Sequence, residues 1–504
     1  MKGVMFQGTS SDAGKSLIAT AFCTIFRDLG YKVAPFKSQN MSNNSYVTKD
    51  GKEIGRAQGI QAEAAGVDAT VYMNPILLKP RNDRRAEVVL FGKSFQSFEG
   101  REYREKFYEK GIETIETALT TLENEYDVIV VEGAGSPVEI NLNDRELVNM
   151  KVAEMADVPV FLIADIERGG VFASIVGTLQ LLKEEERKRV KGIIINKFRG
   201  DLSLFEDGIT WIEEKTGVKV VGVIPYLHNH RIDSEDSLSI GSRFSQSDQK
   251  EIDIAVIRLP YISNYTDVEP FLFEEDVSIR FVDHANEFGN PDAVIIPGTR
   301  STIADFKQLQ NVGFDLKIKD YVKNGGTIVG ICGGYQMMCS YLYDQAGSDT
   351  GQVGYQLAGL DIIPAMTTFM GTKKTIQNSG VLHANSGFPP HEVDGYEIHL
   401  GVTDVRYLEN VNPLITLQNS FDGVSMDNGR IIGTYFHHFF ENDAFRGEWL
   451  NHIRKKKNLP EKEFVYLRKE KAAQYSRLAE HVKKHIDLDY VVSVVETWGI
   501  ECEG

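Results

Sequence analysis

A glycine-rich loop near the amino terminus contains the first residues whose types and spacing suggest chemistry. Residues 8–16 read GTSSDAGKS, follow a short apolar run and precede an amphipathic stretch. Between a strand and a helix, such a loop turns backbone N–H groups inward, and the helix terminus adds partial positive charge. Five residues, rather than the usual four, separate its two glycines, so a turn without a ligand is the alternative. The pattern predicts a nucleotide site in which Lys15 reaches the β/γ-phosphates, formed by Gly8, Thr9, Asp12, Ala13, Gly14, Lys15 and Ser16.

A bound nucleotide needs Mg²⁺, and two acids follow apolar runs that are typical of buried strands. Glu132 ends the run 127–131, and Asp165 ends the run 159–164. Carboxylates at the carboxyl ends of parallel strands face the ligand crevice, and Mg²⁺ prefers oxygen ligands. We predict Ser16 and Glu132 as metal ligands, with Asp165 as a second candidate and helix capping as the alternative for both acids. Asn196 ends a further run and is predicted to contact the nucleotide, unless it only forms a turn.

A second polar stretch is too rich in amide side chains for a protein core. Residues 35–45 read PFKSQNMSNNS, and residues 73–80 read MNPILLKP. Amides can hydrogen-bond a substrate that carries many carboxylates and amides. We predict Gln39, Asn40, Asn43 and Asn44 as substrate-binding residues, with two surface loops as the alternative.

A cysteine in a glycine frame indicates a different chemistry in the second half. Cys332 lies in GICGG after an apolar run, where a strand-to-helix turn exposes a nucleophile and the helix terminus favours the thiolate. The base must come from elsewhere, and the run GTYFHHF at 433–439 offers His437, with His438 as a supporting residue. Backbone N–H groups of Gly298 and Gly333 are predicted to form the oxyanion hole. Cys23 and Cys339 lie on apolar runs and are predicted to be structural, and Cys502 is assigned no role.

The two sites together suggest one reaction. A thiol–histidine pair can release ammonia from glutamine, and a phosphate loop can use ATP to convert a carboxylate into an acyl phosphate. Ammonia attacking that acyl phosphate gives an amide. Co-occurrence in one chain therefore predicts a glutamine- and ATP-dependent amidation.

The order of apolar runs predicts the elements that position these residues. Val- and Ile-rich runs alternate with helical stretches, which is typical of doubly wound parallel α/β sheets. A polar stretch interrupts the series, and a highly charged helical segment follows the second one. The predicted division is a phosphate-loop ligase domain at 1–228, a linker at 229–251, an amidotransferase domain at 252–445 and a helical extension at 446–504.

Composition excludes several classes of protein. Of 504 residues, 55 are Lys or Arg and 72 are Asp or Glu, giving a net charge of −17 that disfavours nucleic-acid binding. Four cysteines are too few for a disulfide framework and fit a reducing cytoplasm. The sequence has no sorting signal and no apolar stretch of spanning length, so we expect a cytoplasmic protein with no membrane partner and no tightly bound cofactor.

Taken together, these segments closely resemble the cobyric acid synthase family over nearly the whole chain. The resemblance is carried by GTSSDAGKS, PFKSQNMSNNS, EIGRAQ, MNPILLKP, VVEGAGSPVEINL, ADIERGGVFAS, INKFRGD, PGTRSTI, GICGGYQMM and GYEIHLG. It implies an amino-terminal domain similar to dethiobiotin synthetase and a class I glutamine amidotransferase domain. It also implies ATP- and glutamine-dependent amidation of the b, d, e and g carboxylates of adenosylcobyrinic acid a,c-diamide, a corrinoid.

The resemblance matches Cys332 and His437 to the family's nucleophile and histidine, but one position departs from the pattern. The family usually has glycine where this chain has His438. No His-x-Glu follows, and Glu441 has no assigned role, so the sequence predicts a dyad. The alternatives are a cobyrinic acid a,c-diamide synthase, a partitioning-type ATPase and a scaffold with an inactive amidotransferase domain. Because the net charge is negative, Lys37, Lys79, Arg81 or Arg168 would have to attract the acidic substrate locally.

Overall fold

The chain forms two compact units. The computed structural model describes residues 2–80, 85–228, 231–232, 250–405 and 410–499. The first unit comprises Met1–Ser42, Lys52–Ile232 and Lys471–Gly504, and the second comprises Asn43–Gly51 and Asp233–Glu470. The predicted domain bounds differ from this division in two places, because residues 43–51 pack in the second unit and the last helices pack in the first. Arg81, Cys502 and most of the predicted linker lie outside the described residues.

Strands account for most of the buried framework. In the first half of the chain they are β1 (Lys2–Gly8), β2 (Val33–Phe36), β3 (Gln39–Met41), β4 (Ser45–Val47), β5 (Glu53–Gly55), β6 (Ile76–Pro80), β7 (Arg85–Leu90), β8 (Lys93–Glu99), β9 (Val128–Glu132), β10 (Val160–Asp165), β11 (Val190–Phe198) and β12 (Val220–Pro225). In the second half they are β13 (Ile252–Ile257), β14 (Val277–Val282), β15 (Ala293–Ile296), β16 (Thr327–Ile331), β17 (Cys339–Asp344), β18 (Tyr355–Ala358), β19 (Ile363–Leu382), β20 (Glu392–Val405), β21 (Val411–Thr416), β22 (Phe421–Met426) and β23 (Ile431–Thr434).

Helices flank the sheets of each unit. The α-helices are α1 (Lys15–Asp28), α2 (Arg56–Ala65), α3 (Gly100–Glu125), α4 (Met150–Met155), α5 (Val171–Leu181), α6 (Glu184–Arg189), α7 (Glu206–Thr216), α8 (Thr302–Asn311), α9 (Phe314–Lys323), α10 (Gly333–Met338), α11 (Asp443–Lys456), α12 (Leu467–Lys483) and α13 (Leu488–Thr497). Short 3-10 helices span Asn143–Arg145, Leu202–Phe205, Tyr265–Phe273, Ala285–Glu287 and Phe439–Glu441. Within the described ranges, no helix combines the length and the apolar character that crossing a bilayer requires.

A six-stranded parallel sheet forms the centre of the first unit. Its order is β12-β11-β10-β1-β9-β2, and every neighbouring pair is parallel. Strands β9 and β10 are buried along their whole length, as the continuous Val- and Ile-rich runs predict for strands covered on both faces. The carboxyl ends of β1, β9 and β10 therefore lie side by side, where open α/β sheets bind ligands. This sheet confirms the predicted fold class for the first domain.

The carboxyl-terminal helices complete the core of the first unit. Tyr475 and Leu478 from α12, and Val491 and Val495 from α13, belong to the same buried cluster as the side chains of α1. The turn between the two helices pairs with β12, since the Asp487 N–H donates to a β12 carbonyl at 2.7 Å. The chain from Asp443 to Thr497 is mainly α-helical.

A small four-stranded sheet, β3-β6-β7-β8, carries part of the amide-rich stretch. Strand β3 pairs in parallel with β6, and β6, β7 and β8 follow antiparallel. Asn40 and Lys79 are only 2% exposed, so these residues do not lie on surface loops. The sequence did not predict this sheet, because its strands are short and two of them, β3 and β8, are largely polar.

The second unit has a mixed sheet whose parallel half holds the thiol site. Its order is β14-β13-β15-β16-β23-β22-β21-β19-β17-β18, with β20 paired to β19. The five strands from β14 to β23 are parallel neighbours, whereas the β19–β20, β21–β22 and β22–β23 pairs are antiparallel. The predicted α/β class is confirmed, and the long β19–β20 hairpin is an addition that the apolar pattern did not reveal.

Buried ion pairs anchor α11 to the second unit. Arg446 donates to Glu274 at 2.9 Å, and Arg454 makes two bonds to Asp276, each of 2.9 Å. Both guanidinium groups are almost fully buried. Burial raises the pKa of Asp276, but the hydrogen bonds and charge of Arg454 outweigh burial and hold it below its usual value. Asp276 is therefore a buried carboxylate whose main cation is Arg454, with the Lys462 ammonium at 3.3 Å as a second.

We predict that Arg454→Met lowers the free energy of unfolding of the second unit by about 3 kcal/mol, because it leaves buried Asp276 with only the more exposed Lys462 ammonium at 3.3 Å. Urea unfolding followed by the fluorescence of Trp449 measures the loss. Lys457→Met is the control, since Lys457 directly follows the same helix and forms a more exposed pair with Asp292, and its substitution is expected to cost less than about 1 kcal/mol. Equal losses of unfolding free energy in Arg454→Met and Lys457→Met would contradict the conclusion that burial makes the loss of an ion-pair partner costly.

Candidate active sites

The loop between β1 and α1 has the geometry of a phosphate cradle. Gly14 has φ +98°, and a Cβ there would lie 2.2 Å from the Asn196 amide nitrogen, so this position requires glycine. Asn196 donates to the Ala13 carbonyl at 2.9 Å and thereby holds the loop. The Lys15 ammonium is bonded to the carbonyls of Ser10 and Gly135, each at 3.0 Å. The structure brings the predicted loop residues together around Lys15.

Other loop contacts fix the ends of the cradle. The Thr9 N–H donates to the Ile163 carbonyl of β10 at 2.9 Å. Asp12 has φ +59° and pairs with Arg168 at 3.2 Å on the surface. Arg168 is therefore engaged by the loop itself in this conformation.

Glu132 lies beside the cradle and is almost fully buried. One carboxylate oxygen accepts bonds from the Ser16 hydroxyl at 2.8 Å and the Lys37 ammonium at 3.0 Å, and the other accepts from Gln61 at 2.7 Å. Burial raises the pKa of Glu132, but the Lys37 charge and the hydrogen bonds outweigh it and hold the pKa below its usual value. Glu132 is thus a buried carboxylate in contact with the phosphate loop.

Ser16 and Glu132 are suited to hold an Mg²⁺ ion that takes its remaining ligands from water and phosphate. Ser16 and Glu132 offer hydroxyl and carboxylate oxygens 2.8 Å apart, which is the donor type that Mg²⁺ prefers. Among the described residues, no group of three or more His, Cys, Asp or Glu side chains is placed to hold a metal ion. Asp165 is engaged elsewhere, with Lys197 at 2.8 Å and the Glu167 N–H at 2.8 Å. The structure therefore places Glu132, rather than Asp165, next to Ser16.

A line of amide side chains leads from Glu132 to the amide-rich stretch. Gln61 contacts Glu132, Gln58 lies 3.5 Å from Gln61, and Asn40 donates to Gln58 at 3.2 Å. Gln39 is partly buried and accepts from Tyr103 at 2.5 Å. The sequence predicted Gln39 and Asn40 but assigned no role to Gln58, the last residue of the segment EIGRAQ, or to Gln61 on the same helix α2.

The other two predicted substrate residues behave differently. Asn43 and Asn44 belong to the segment 43–51 of the second unit. Asn44 is only 1% exposed, and the Asn43 side-chain oxygen is also buried. The structure does not place these two amides with Gln39 and Asn40 in one unit.

Cys332 occupies a strained turn between β16 and α10. Its backbone angles are φ 52° and ψ −109°, a conformation that a non-glycine residue adopts only when its surroundings impose it. The Cys332 N–H donates to the Thr434 carbonyl of β23 at 2.8 Å, and the sulfur lies 3.7 Å from the Ile398 carbonyl. The adjacent parallel strand β23 therefore holds the turn that presents the thiol, as the predicted nucleophile turn requires.

His437 follows β23 and reaches the same turn. Its Nδ1 lies 2.7 Å from a carboxylate oxygen of Asp267, whose other oxygen accepts the His438 N–H at 2.9 Å. His437 and Asp267 are buried. Because Asp267 holds Nδ1, the Nε2 atom of His437 is the nitrogen available to the Cys332 proton. The arrangement is a Cys–His–Asp triad, not the dyad expected from the sequence.

The charge of Asp267 sets the basicity of the imidazole. Burial lowers the pKa of His437, but the Asp267 charge and hydrogen bond, together with the Cys332 sulfur, raise it to about 10. A base of this strength can take the proton of the Cys332 thiol during attack on a substrate. The other buried thiol nearby differs, since burial raises the pKa of Cys339 to about 12. Cys332 is therefore the thiol suited to nucleophilic attack.

His438 stands where the backbone favours glycine. Its φ is +63°, in the left-handed region, which explains why a glycine is common at this position of the family pattern. Its ring packs edge-on against Tyr396, with centroids 4.8 Å apart, and lies 3.8 Å from Glu441. Glu441 therefore faces His438 and not His437, and it is not the third member of the triad.

The two predicted oxyanion glycines lie against the triad. A Cβ at Gly298 would be 3.0 Å from the His437 ring, and a Cβ at Gly333 would be 2.5 Å from the Thr299 methyl group. The Thr299 hydroxyl donates to buried Asp305, whose pKa burial raises to about 6. Gly298 and Gly333 therefore approach the thiol turn closely, and Asp305 anchors the loop that carries Gly298.

We predict that Asp267→Asn lowers the turnover number of glutamine hydrolysis by about 10²-fold or more, because the imidazole loses its tautomer and its counter-charge. Steady-state glutamate release at saturating glutamine measures the effect. Glu441→Gln is the control and is expected to change the rate less than about twofold, since Glu441 contacts His438 instead. A larger loss from Glu441→Gln than from Asp267→Asn would contradict the assignment of the triad.

Comparisons with known proteins identify the family of each domain. The family described as CobQ/CobB/MinD/ParA nucleotide binding domain matches residues 4–240, and the CobB/CobQ-like glutamine amidotransferase domain matches residues 253–445. The cobyric acid synthase of Anoxybacillus flavithermus is 53% identical, with 96% of this chain and 95% of that protein covered. Those of Geobacillus sp. (strain WCH70) and Listeria innocua are 51% and 44% identical, covering 97% and 98% of this chain and 96% of each relative. The resemblance predicted from the sequence motifs is confirmed, and the chain belongs to the cobyric acid synthase family.

Proposed function

We propose that this protein amidates the b, d, e and g carboxylates of adenosylcobyrinic acid a,c-diamide to give adenosylcobyric acid. Each amidation consumes one ATP and takes its ammonia from glutamine. The observation that carries the proposal is the presence, in one chain of this family, of a buried Cys332–His437–Asp267 triad and a phosphate loop whose Ser16 contacts Glu132. The first supplies ammonia, and the second supplies an activated carboxylate.

Glutamine hydrolysis follows from the triad geometry. The Cys332 thiolate attacks the side-chain amide carbon of glutamine, while His437 holds the thiol proton and passes it to the departing ammonia. Asp267 keeps Nδ1 bonded and stabilises the imidazolium. Backbone N–H groups of Gly298 and Gly333 donate to the oxyanion. Water, deprotonated by His437, then cleaves the thioester to release glutamate and regenerate Cys332.

The phosphate loop activates the acceptor carboxylate. Lys15 and the loop N–H groups bind the β- and γ-phosphates, and Asn196 keeps the loop in its binding conformation. Ser16 and Glu132 would hold Mg²⁺, which neutralises phosphate charge when bound. The substrate carboxylate attacks the γ-phosphorus and displaces ADP. Ammonia then attacks the acyl phosphate and releases phosphate, leaving the amide.

The acidic corrinoid requires local positive charge in a protein of net charge −17. Of the described cations that the sequence suggested, Lys37 is paired with Glu132 beside the phosphate loop and Lys79 with Glu53 inside the small sheet. Arg168 is on the surface with Asp12. We assign Lys37 to the acceptor carboxylate, because it lies next to the residues that bind the phosphates. Gln39 and Asn40 then bind the corrinoid amides through hydrogen bonds.

We predict that Glu132→Gln raises the KM for MgATP or lowers ADP formation by about 10–100-fold, because it removes a charged oxygen from the metal shell. Glutamine hydrolysis measured without ATP is expected to stay unchanged. Asp165→Asn is the matched comparison and is expected to cost less than about threefold, since Asp165 pairs with Lys197 and not with Ser16. The opposite ranking would assign the metal to Asp165.

We predict that Cys332→Ala abolishes amidation with glutamine but leaves amidation with ammonium salts, because only the ammonia supply is lost. A mass-resolved time course with adenosylcobyrinic acid a,c-diamide, MgATP and either nitrogen source reads out each added amide. Cys339→Ala is the control, since this buried thiol at the start of β17 has no assigned catalytic role. Glutamine hydrolysis without any corrinoid product would keep the amidotransferase but exclude this acceptor.

A further inference from the structure

Asn264 makes a buried bridge between the segment 43–51 and the triad. Its side-chain oxygen accepts the Ser45 N–H at 3.0 Å, and its side-chain nitrogen lies 3.3 Å from Nε2 of His437. Asn264 is 3% exposed and has φ 52°, so its amide is held in one place. The mechanism above assigns it no task, although it touches the nitrogen that must take the thiol proton.

Hydrogen-bond polarity fixes the orientation of this amide. A backbone N–H can only donate, so the end of Asn264 that faces Ser45 must be the oxygen. The end that faces His437 is therefore the NH₂ group, which also can only donate. An NH₂ donor at 3.3 Å needs a lone pair on Nε2, and Nε2 then carries no proton. This contact favours the neutral imidazole with its proton on Nδ1, donated to Asp267.

In the active thiolate–imidazolium pair, by contrast, Nε2 of His437 carries a proton and has no free lone pair. With a proton on Nε2, the imidazolium and the Asn264 amide would present N–H groups to each other. The other groups that face the ring are Asp267, the Cys332 sulfur and Tyr396, whose ring stacks at 5.1 Å. Asp267 raises the pKa of His437, so the carboxylate and the amide act in opposite directions. The position of Asn264 therefore bears on whether Nε2 of His437 carries a proton or a lone pair.

The segment 43–51 holds Ser45 against Asn264. Tyr396 donates to the Ser45 carbonyl at 3.1 Å, and Gln377 donates to the Val47 carbonyl at 2.7 Å. Val47 also packs in a small apolar cluster with Tyr396 and Ile398. The chain on both sides of this segment belongs to the first unit, and β3, just before it, carries Gln39 and Asn40. Ser45 thus follows the last residue of β3, Met41, by four positions in the chain.

We propose that Asn264 is a positioning residue that restrains the glutaminase until the segment 43–51 shifts and releases its amide. Once Ser45 no longer holds the oxygen, the amide can turn and accept the Nε2 proton of His437. Binding of the acceptor substrate next to β3 is the event that would shift the segment. This inference rests on the proposed function, and it makes ammonia release depend on an acceptor being present.

Asn264→Asp tests the restraint, because a carboxylate accepts from both Ser45 and the protonated Nε2. Glutamine hydrolysis without ATP and corrinoid is expected to rise at least about fivefold, while the rate with all substrates changes less than about twofold. Asn264→Gly removes the amide and suits the positive φ, and it is expected to raise the basal rate as well. Asn458→Asp is the control, since it makes the same charge change at an exposed position of positive φ.

A second readout separates this role from a structural one. The rate of iodoacetamide alkylation of Cys332, followed by peptide mass spectrometry across pH, reports its thiolate fraction. We expect Asn264→Asp to shift that profile to lower pH and Asn458→Asp to leave it in place. An unchanged or reduced basal rate with an unchanged alkylation profile in a folded variant would overturn the inference. Loss of glutamine hydrolysis from the wild-type protein itself would instead overturn the proposed function.

Discussion

Each site is built around one carboxylate that has been removed from water, and this constraint determines the surrounding structure. A buried carboxylate is costly unless hydrogen bonds and a cation accompany it. Glu132 has Lys37, Ser16 and Gln61, and Asp267 has His437 and the His438 N–H. These partners come from different elements, so the satisfied carboxylate also fixes where those elements meet. Chemistry and folding thus depend on the same contacts.

In the second unit, two neighbouring parallel strands position the nucleophile and the histidine that pairs with the buried Asp267. Strand β16 delivers Cys332 in a strained conformation, and β23 both holds its N–H and delivers His437. The strain is tolerated because parallel neighbours leave the turn no room to relax. Asp267 lies on the 3-10 helix Tyr265–Phe273, which is not part of the sheet. A change at Asp267 can therefore alter the basicity of His437 without displacing the turn that carries Cys332.

The sequence was sufficient where a site is contiguous in the chain. The phosphate loop, the Cys332 turn and the parallel strands follow from short patterns, because each is formed by neighbouring residues. Asp267 could not be predicted because it lies 170 residues upstream of His437, and no sequence spacing relates the two residues. The contacts of Lys37 and Gln61 with Glu132, and of Gln58 with Gln61, could not be predicted for the same reason. Residues that meet only in the folded chain have no regular sequence spacing that would reveal the contact. The β19–β20 hairpin escaped notice because most of its length is polar and partly exposed.

The last helices have a consequence for how the molecule is made. The core of the first unit includes side chains from α12 and α13, which leave the ribosome roughly 240 residues after the rest of that unit. At translation speeds of ~5–20 residues per second, α12 and α13 are synthesised about 10–50 s after the sheet that carries the phosphate loop. The second unit needs no later segment and can close first. Synthesis therefore favours maturation of the ammonia-producing half before the half that uses ATP, against the order in which the two are encoded.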